Sequence, residues 1–293
     1  GNPMRILITG ITGRIGANLA AILHKNGHQI RGLVWPKDPR VEKLASLGLE
    51  LHEGSLTQKE DVQAAAQGID AIYHLGAAFQ GGGPFTETDY FEINLRGTFH
   101  VLEAARSQPT PPQIVFAGTD AVYEKYVPGG LDEPIREDAP SRPQGWYALS
   151  KSLAEDLCIG YWRTYKLPVT VLRFSMVVGA GEILDFSQFY LSKLKSQPGL
   201  ENVWQGEERL VILKDTKGRP FKKHIADVRD IVHGCACALG KTDAAGEIIQ
   251  LGAPSAFTWD EAIPHLSQRL NIPYIEAVSQ GQVTHYEFDL SKA

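Results

Sequence analysis

Of the ten tyrosines in this 293-residue chain, only Tyr147 has a lysine four residues later, Lys151. On a helix that spacing places phenol and ammonium on one face. An ammonium beside a phenol favours the phenolate and lowers its pKa toward the range where Tyr147 exchanges a proton with a substrate hydroxyl or carbonyl. A surface pair has the same spacing, so the reading depends on what surrounds it.

A second chemistry lies at the start, in Met4 to Gly16, MRILITGITGRIG. Ile6, Leu7 and Ile8 read as a short strand buried on both faces, after which the chain turns at Gly10 and carries glycines at 10, 13 and 16. Gly10 permits the tight turn, Gly13 lets the backbone approach a pyrophosphate, and Gly16 lets the next helix pack closely on the strand. That helix shows in Ile15, Leu19, Ile22 and Leu23 and closes at Asn26-Gly27. The spacing is GxxGxxG rather than GxGxxG.

Gln29 to Val34 reads as a second strand. An acidic side chain at its end would bind the adenosine ribose hydroxyls and repel a 2′-phosphate, but the positions are Val34 and Trp35, followed by Lys37 and Arg40. Arg14, Lys37 and Arg40 would reach a 2′-phosphate, so NADP is slightly favoured over NAD, and NADP(H) is expected to bind at least as tightly. Ordinary solvated loop charges are the competing reading.

These residues need a scaffold that alternates strand and helix. A third strand is expected over 49–52, with Ser55 and Leu56 just beyond it and a helix around 60–66. Ala71 to Leu75 is a fourth strand, ending in the small residues Gly76, Ala77 and Ala78, where backbone would press against a cofactor. The following loop, 80–84, is expected to be mobile. A helix over about 88–106 buries Phe91, Leu95, Phe99, Val101 and Leu102 and carries Asn94 in a largely apolar setting. Gln113 to Ala117 is a fifth strand ending at Gly118-Thr119-Asp120. A proline-rich loop over 127–143 leads to a helix from near Trp146 to about Tyr165, and Val169 to Phe174 is strand six. The alternation predicts an α/β, doubly wound parallel sheet over residues 1–175. Beyond Ser175 the pattern loses its alternation, so 176–293 is expected to be mainly a smaller C-terminal substrate lobe, with 224–251 returning to the sheet as a helix and a strand. A last amphipathic helix runs from Thr258, its expected cap, to Leu270.

Composition narrows the function. With 43% hydrophobic and 22% charged residues the chain folds without staples, and a net charge of −5 with scattered lysines and arginines gives no basic stripe for nucleic acid. No apolar run suggests a membrane span or signal peptide, so no membrane partner is expected. The three cysteines, Cys158, Cys235 and Cys237, make no CxxC pair and read as core or helix residues; cytoplasmic localisation fits. No metal site is expected. Gly1-Asn2-Pro3 reads as a tag remnant.

Taken in order, TGITGRIG (9–16), HLGAA (74–78), NLRGTFHVLEAAR (94–106), VFAGTDAVY (115–123), YALSK (147–151), LPVTVLRF (167–174) and HIADV (224–228) resemble the extended short-chain dehydrogenase/reductase superfamily, in particular its NAD(P)-dependent epimerase/dehydratase branch. The resemblance covers nearly the whole chain. It implies a Rossmann fold and an NAD(P)-dependent oxidoreductase or epimerase acting on a secondary alcohol or carbonyl of a sugar or sugar-nucleotide. It implies Tyr147 as acid/base, Lys151 as its electrostatic partner and ribose ligand, and Thr119 as the hydroxyl that orients the substrate oxygen. Asp120 is either an acid or the cap of the following turn, and Asn94 either a cofactor-side or water-positioning residue or a buried, satisfied asparagine. The cofactor set is then Gly10, Gly13, Arg14, Ile15, Gly16, Lys37, Ser55, Leu56, Leu75, Gly76, Ala77, Asn94, Tyr147 and Lys151. It also implies a homodimer through the 88–106 and 147–165 helices, with Phe99, Leu153, Leu157 and Tyr161 as candidate contacts. The alternatives are a non-catalytic NAD(P)-binding sensor, which typically lacks the tyrosine and lysine, and a reductase of a non-sugar carbonyl.

The departures shape the expectation. Sugar-nucleotide dehydratases of this family carry Thr-Asp-Glu where this chain has Thr119-Asp120-Ala121, which disfavours dehydratase chemistry. Ser175 replaces an asparagine that usually meets substrate phosphates, and the usual arginine before HIADV is out of register, with Lys222 and Lys223 adjacent and Arg219 farther upstream. Phe288 to Ala293 reads as the start of a C-terminal helix that the family continues.

Overall fold

The computed structural model describes residues 2–79, 83–179 and 181–293. Gly1 and most of the loop expected to be mobile, at 80–82, lie outside them. Strand β1 (Arg5–Thr9) shows why the sheet forms. Ile6 and Ile8 enter one apolar cluster and Leu7 the other, all three with no exposed surface. A strand that is apolar on both faces needs helices on both sides. Helix α1 (Arg14–Lys25) follows, then β2 (Gln29–Val34), the short α2 (Glu42–Ala45), β3 (Glu50–Glu53), α3 (Lys59–Ala65) and β4 (Ala71–His74).

The expected helix over 88–106 is three pieces: α4 (Glu87–Tyr90), a π-helical stretch Phe91–Arg96, and α5 (Gly97–Arg106). Thr86 and Asp89 start it with a capping box. The π stretch centres on Asn94, where one wide turn re-aims a side chain. Next come β5 (Gln113–Thr119), α6 (Gly145–Tyr165) and β6 (Val169–Phe174).

The segment after Ser175 contains β7 (Met176–Val178), α7 (Leu191–Leu194), β8 (Leu210–Lys214), β9 (Lys222–Lys223) and β10 (Ile225–Asp227). It is followed by α8 (Val228–Ala238), β11 (Ile248–Leu251), β12 (Phe257–Thr258), α9 (Trp259–Leu270) and β13 (Tyr274–Val278). The main sheet has seven strands in the order β11-β6-β5-β4-β1-β2-β3, all parallel. This is the doubly wound arrangement expected, with its switch point between β1 and β4. Helices α1 and α8 cover one face and α3, α5 and α6 the other. A separate apolar cluster joins Phe189, Leu210 to Leu213, Phe221, Trp259 and Ile263, with β8 and β13 paired in parallel across it.

Two local expectations are corrected. Thr258 occupies the N-cap position of α9, but its hydroxyl makes no capping bond and is buried without a partner. The 288–293 tail does not begin a helix: Phe288 bridges Ile135, and Tyr286 and Phe288 alternate inward onto Val122 and Tyr123, so the period is that of a strand. Of the four candidate contact residues on α5 and α6, Phe99 and Leu153 are exposed. Leu157 is half-buried on the sheet-facing cluster, and Tyr161 is inside, its hydroxyl donating to Glu103 Oε2 at 2.8 Å. Among the described residues no helix is long and apolar enough to cross a membrane.

Candidate active site

The glycine loop is built by close backbone approach. Gly10 has φ +70°, and a Cβ there would lie 2.7 Å from the Gly76 nitrogen; a Cβ on Gly16 would lie 2.2 Å from the Gly10 oxygen. The turns after β1 and β4 therefore touch, and α1 seats on its own loop. Helix α1 starts at Gly13 with no side-chain cap and no acidic residue in its first turn. Its first amides and its dipole are left for an anion, as a pyrophosphate requires. The residues thus fit a dinucleotide.

Ile15 is half-buried against the sheet cluster of α1, and Arg14 is paired with Glu182 in the short turn after β7. Lys37 is exposed, with φ 62°. Ser55 sits between Asp61, which accepts from its amide at 2.9 Å, and Thr57, 2.6 Å from its hydroxyl. Leu56 is buried, and its carbonyl pairs with His100 Nδ1 at 2.7 Å. Leu75, Gly76 and Ala77 are half-buried at the end of β4.

The end of β2 differs from expectation. Asp38, four residues past it, accepts from the Thr12 hydroxyl of the glycine loop at 2.9 Å and from Arg40 Nη2 at 3.0 Å. Its side chain is buried, and the Arg40 guanidinium holds its carboxyl down to about 2 against the opposing effect of burial. An ionised carboxylate thus borders the loop, and two of the three cations expected to reach a 2′-phosphate, Arg14 and Arg40, are engaged with acids. The signal was present as Asp38-Pro39-Arg40, one residue beyond Lys37.

Tyr147 stands in the first turn of α6, with Lys151 one turn on. Burial pushes the Tyr147 phenol up; the Thr119 hydroxyl, at the end of β5, pulls it down, and the Asp120 charge raises it again. Lys151 is not among the groups that move it. Its ammonium lies over the Phe116 ring, 4.4 Å from the centroid, and burial lowers it to about 8. In the protein alone the Tyr147 phenol is raised, opposite in direction to the depression expected from Lys151. Asp120 pairs with Lys125 at 3.0 Å, both side chains being largely buried, and its turn is capped by Thr119, whose hydroxyl accepts from the Ala121 amide at 3.1 Å.

Behind Tyr147 runs a directed hydrogen-bond chain that the sequence did not announce. The Gly76 amide donates to Thr9 Oγ1 at 3.0 Å. The single Thr98 proton goes to the Asn94 carbonyl at 2.7 Å, so Thr98 accepts from His74 Nε2–H at 2.9 Å, and His74 Nδ1 accepts from the Thr9 hydroxyl at 2.7 Å. Burial, with the Lys151 charge, lowers His74 to about 3, which keeps it in this neutral form. Asn94 closes the chain: Oδ1 accepts from the Ala78 amide at 2.7 Å, and Nδ2 donates to the Ala78 carbonyl and to Ser150 Oγ, each at 3.0 Å. Ser150 in turn donates to the Tyr147 carbonyl at 3.0 Å. Of the two readings for Asn94, the buried, satisfied one fits this geometry, because both amide hydrogens are used inside the protein.

The positions that replace the phosphate anchors are also occupied. The Ser175 hydroxyl donates to the Leu251 carbonyl at 2.9 Å, and Arg219 is bound by Asp215, Asp132 and the Gly129 carbonyl. Among the described residues no group of three or more metal-ligating side chains converges.

The family model for the NAD dependent epimerase/dehydratase family matches residues 6–252. Over 98% of its length the chain is similar to UDP-glucuronate 4-epimerase 1 of Arabidopsis thaliana, at 26% identity and covering 71% of that protein. It is 30% identical to uronate dehydrogenase of Pseudomonas syringae pv. tomato over 58% of this chain and 58% of that one. A crystal structure of a short-chain dehydrogenase/reductase superfamily protein from Agrobacterium tumefaciens, with NAD bound, matches with a TM-score of 0.81 at 30% identity, covering 98% of this chain and 89% of that one.

Proposed function

The chain belongs to the NAD dependent epimerase/dehydratase family, and from that premise we propose that it epimerises or oxidises a secondary alcohol, or reduces the matching carbonyl, on a sugar or sugar-nucleotide, with Tyr147 as acid/base. The observation that carries the reading is the meeting of Tyr147, Thr119 and Asp120 at the end of β5, with Lys151 one turn along α6. A nicotinamide bound in the glycine cradle supplies the acceptor and donor of hydride. Gly10, Gly13 and the first amides of α1 hold the pyrophosphate. Thr119 orients the substrate oxygen, and Tyr147 takes or returns its proton. A phenol raised by burial is held in its protonated form, the form that the direction from carbonyl to alcohol requires.

Asp38 shifts the cofactor choice to NAD, since a buried carboxylate beside Thr12 opposes a 2′-phosphate. The relatives differ in outcome, epimerase in one and dehydrogenase in another, and the site accommodates both, because each begins with the same proton and hydride removal. Substrate turnover followed by nicotinamide absorbance and by product stereochemistry separates the two. An epimerase returns its hydride and leaves no net absorbance change.

The test of the acid/base assignment is Tyr147→Phe. Turnover should fall by roughly 10²- to 10⁴-fold with cofactor affinity nearly unchanged. Wild-type turnover in that variant rejects the assignment and moves the acid/base role to another group such as Asp120, whereas no turnover in the unaltered chain favours a non-catalytic sensor.

A further inference from the structure

Around Asp120 lies a polar cluster whose other members the proposed reaction leaves without a task. Lys125 follows the turn after β5 and is only 6% exposed. Its ammonium donates to the Asp120 carbonyl at 3.1 Å and lies 3.0 Å from Asp120 Oδ2. Tyr126 and Tyr286, edge to face with centroids 5.8 Å apart, box that ammonium at 5.6 and 5.4 Å. From β9, Lys223 approaches the same Tyr126 ring at 5.9 Å and Phe186 at 5.2 Å.

The charges do not cancel. Asp120 compensates Lys125, and Glu287 compensates Lys222 at 3.0 Å, while among the described residues no carboxylate forms an ion pair with Lys223. The Tyr286 hydroxyl is buried beside Tyr126 without a well-formed hydrogen bond. A cation and a hydroxyl left this way are the groups a ligand oxygen would satisfy. Asp120 ties them to the reacting end, since it neighbours Thr119 and its charge acts on Tyr147.

We propose that Lys125 and Lys223, arranged around Tyr126 with Tyr286, form a subsite for an anionic substituent on the sugar itself, a carboxylate or a phosphomonoester. The assignment rests on the reading of Tyr147 as the reacting centre and narrows its substrate to an acidic sugar. A singly charged carboxylate matches the one uncompensated cation. Tyr126, exposed on one side, offers its ring as the wall between the two ammoniums.

The experiment measures binding by calorimetry on the full chain saturated with NAD⁺, in matched pairs: D-glucuronate with D-glucose, D-galacturonate with D-galactose, D-glucose 6-phosphate with D-glucose, and UDP-glucuronate with UDP-glucose. In at least one pair the acidic member should bind about tenfold tighter or better. Lys223→Met should reduce that preference to about threefold or less, with the neutral member's affinity kept within about twofold, because only the charge-assisted contact is lost. Lys125→Met should do the same. Lys223→Met decides the matter if the loss of a buried ion-pair partner unfolds the Lys125 variant. Preference in the uronate pairs identifies a carboxylate and preference in the phosphate pair a phosphomonoester, and either sustains the subsite. Equal affinity within every pair, no binding by any acidic member, or a preference that survives both substitutions overturns it. So does equal weakening of both UDP-sugars, which would make the lysines readers of the diphosphate. Tyr147→Phe separates the two claims: it should keep the acidic preference while losing turnover, and if it keeps turnover the acid/base reading fails while the subsite is judged on binding alone.

Discussion

Two buried polar clusters flank Tyr147, and they are finished to different degrees. On the cofactor side, Thr9, His74, Thr98, Asn94 and Ser150 form a chain in which donor meets acceptor at every step, from the Gly76 amide to the Tyr147 carbonyl. On the other side, Asp120, Lys125, Tyr126 and Tyr286 leave a hydroxyl unpaired and stand beside an unneutralised lysine. A buried polar group that is fully satisfied holds a scaffold in one arrangement; one left open costs folding free energy, and beside a reacting centre it is a group that a ligand can complete. On the reading proposed above, the difference separates residues that position Tyr147 from residues that would meet its substrate.

The comparison breaks most visibly at Asn94. Asn94→Ala would orphan both the Ala78 amide and its carbonyl, and remove the donor to Ser150, in a site that is 2% exposed. A loss of roughly 2–4 kcal/mol in unfolding free energy is expected, read by denaturant titration of the apoprotein. A loss below about 0.5 kcal/mol would mean that the chain is not the rigid side of the pair.

Lys151 sharpens the contrast, since it lies inside the finished side yet in the proposed function serves the chemistry. Its ordinary value of 10.5 falls to about 8 through burial. Below pH 8 both folded and unfolded chains hold the proton, and the full penalty of burying the charge applies. Between about 8 and 10.5 the unfolded chain binds more proton, so stability rises with pH, and above 10.5 the penalty is gone. Lys151→Met should therefore stabilise the fold at pH 7, by an amount of about 1–3 kcal/mol that shrinks toward pH 10.5, while turnover is lost. Melting curves at pH 7 and pH 10 check it; a destabilised variant at pH 7 would show that the ammonium contributes to the fold.

Cofactor choice tests the loop bordering the finished side. NAD(H) should bind more tightly than NADP(H) by about tenfold, near 1.4 kcal/mol, and Asp38→Asn should narrow the ratio by removing the charge while keeping the Thr12 contact. Fluorescence titration showing NADP(H) tighter in the unaltered chain would reject a repelling role for Asp38.

The parts of this arrangement that could be read from the sequence share a physical feature: they are local. Strands β2 and β6 fall on the expected residues, because an apolar run between turn residues needs no distant partner to be recognised. Tyr147 and Lys151 stand out through a four-residue spacing, and the glycines through one turn. What escaped notice depends on contacts across long stretches of chain. Strand β8 pairs with β13 some sixty residues later, so its run carries no alternation to announce it. Asn94 shows as a polar residue in an apolar helix, but its partners Ala78 and Ser150 come from elsewhere, and only they distinguish a satisfied amide from one awaiting a ligand. Asp38 was visible, yet its meaning depends on Thr12 reaching it across the loop.

The smallest expected effect is on the unfinished side. Tyr286→Phe removes a hydroxyl that makes no well-formed hydrogen bond, with Tyr126 beside it, and keeps the ring that boxes Lys125, packs on Phe288 and stands edge-on to Tyr126. Deleting an unsatisfied buried group removes a desolvation cost, so unfolding free energy should stay within about 0.5 kcal/mol of the unaltered chain or rise slightly. The same change at a satisfied tyrosine behaves otherwise: Tyr161→Phe would strip Glu103 of a hydrogen bond at 2.8 Å and should cost roughly 1 kcal/mol. Run side by side by denaturant titration, the two substitutions differ only in whether the lost hydroxyl had a partner. If Tyr286→Phe costs as much as Tyr161→Phe, the Tyr286 hydroxyl is bonded in solution, and the line drawn between scaffold and substrate side at Tyr147 does not hold.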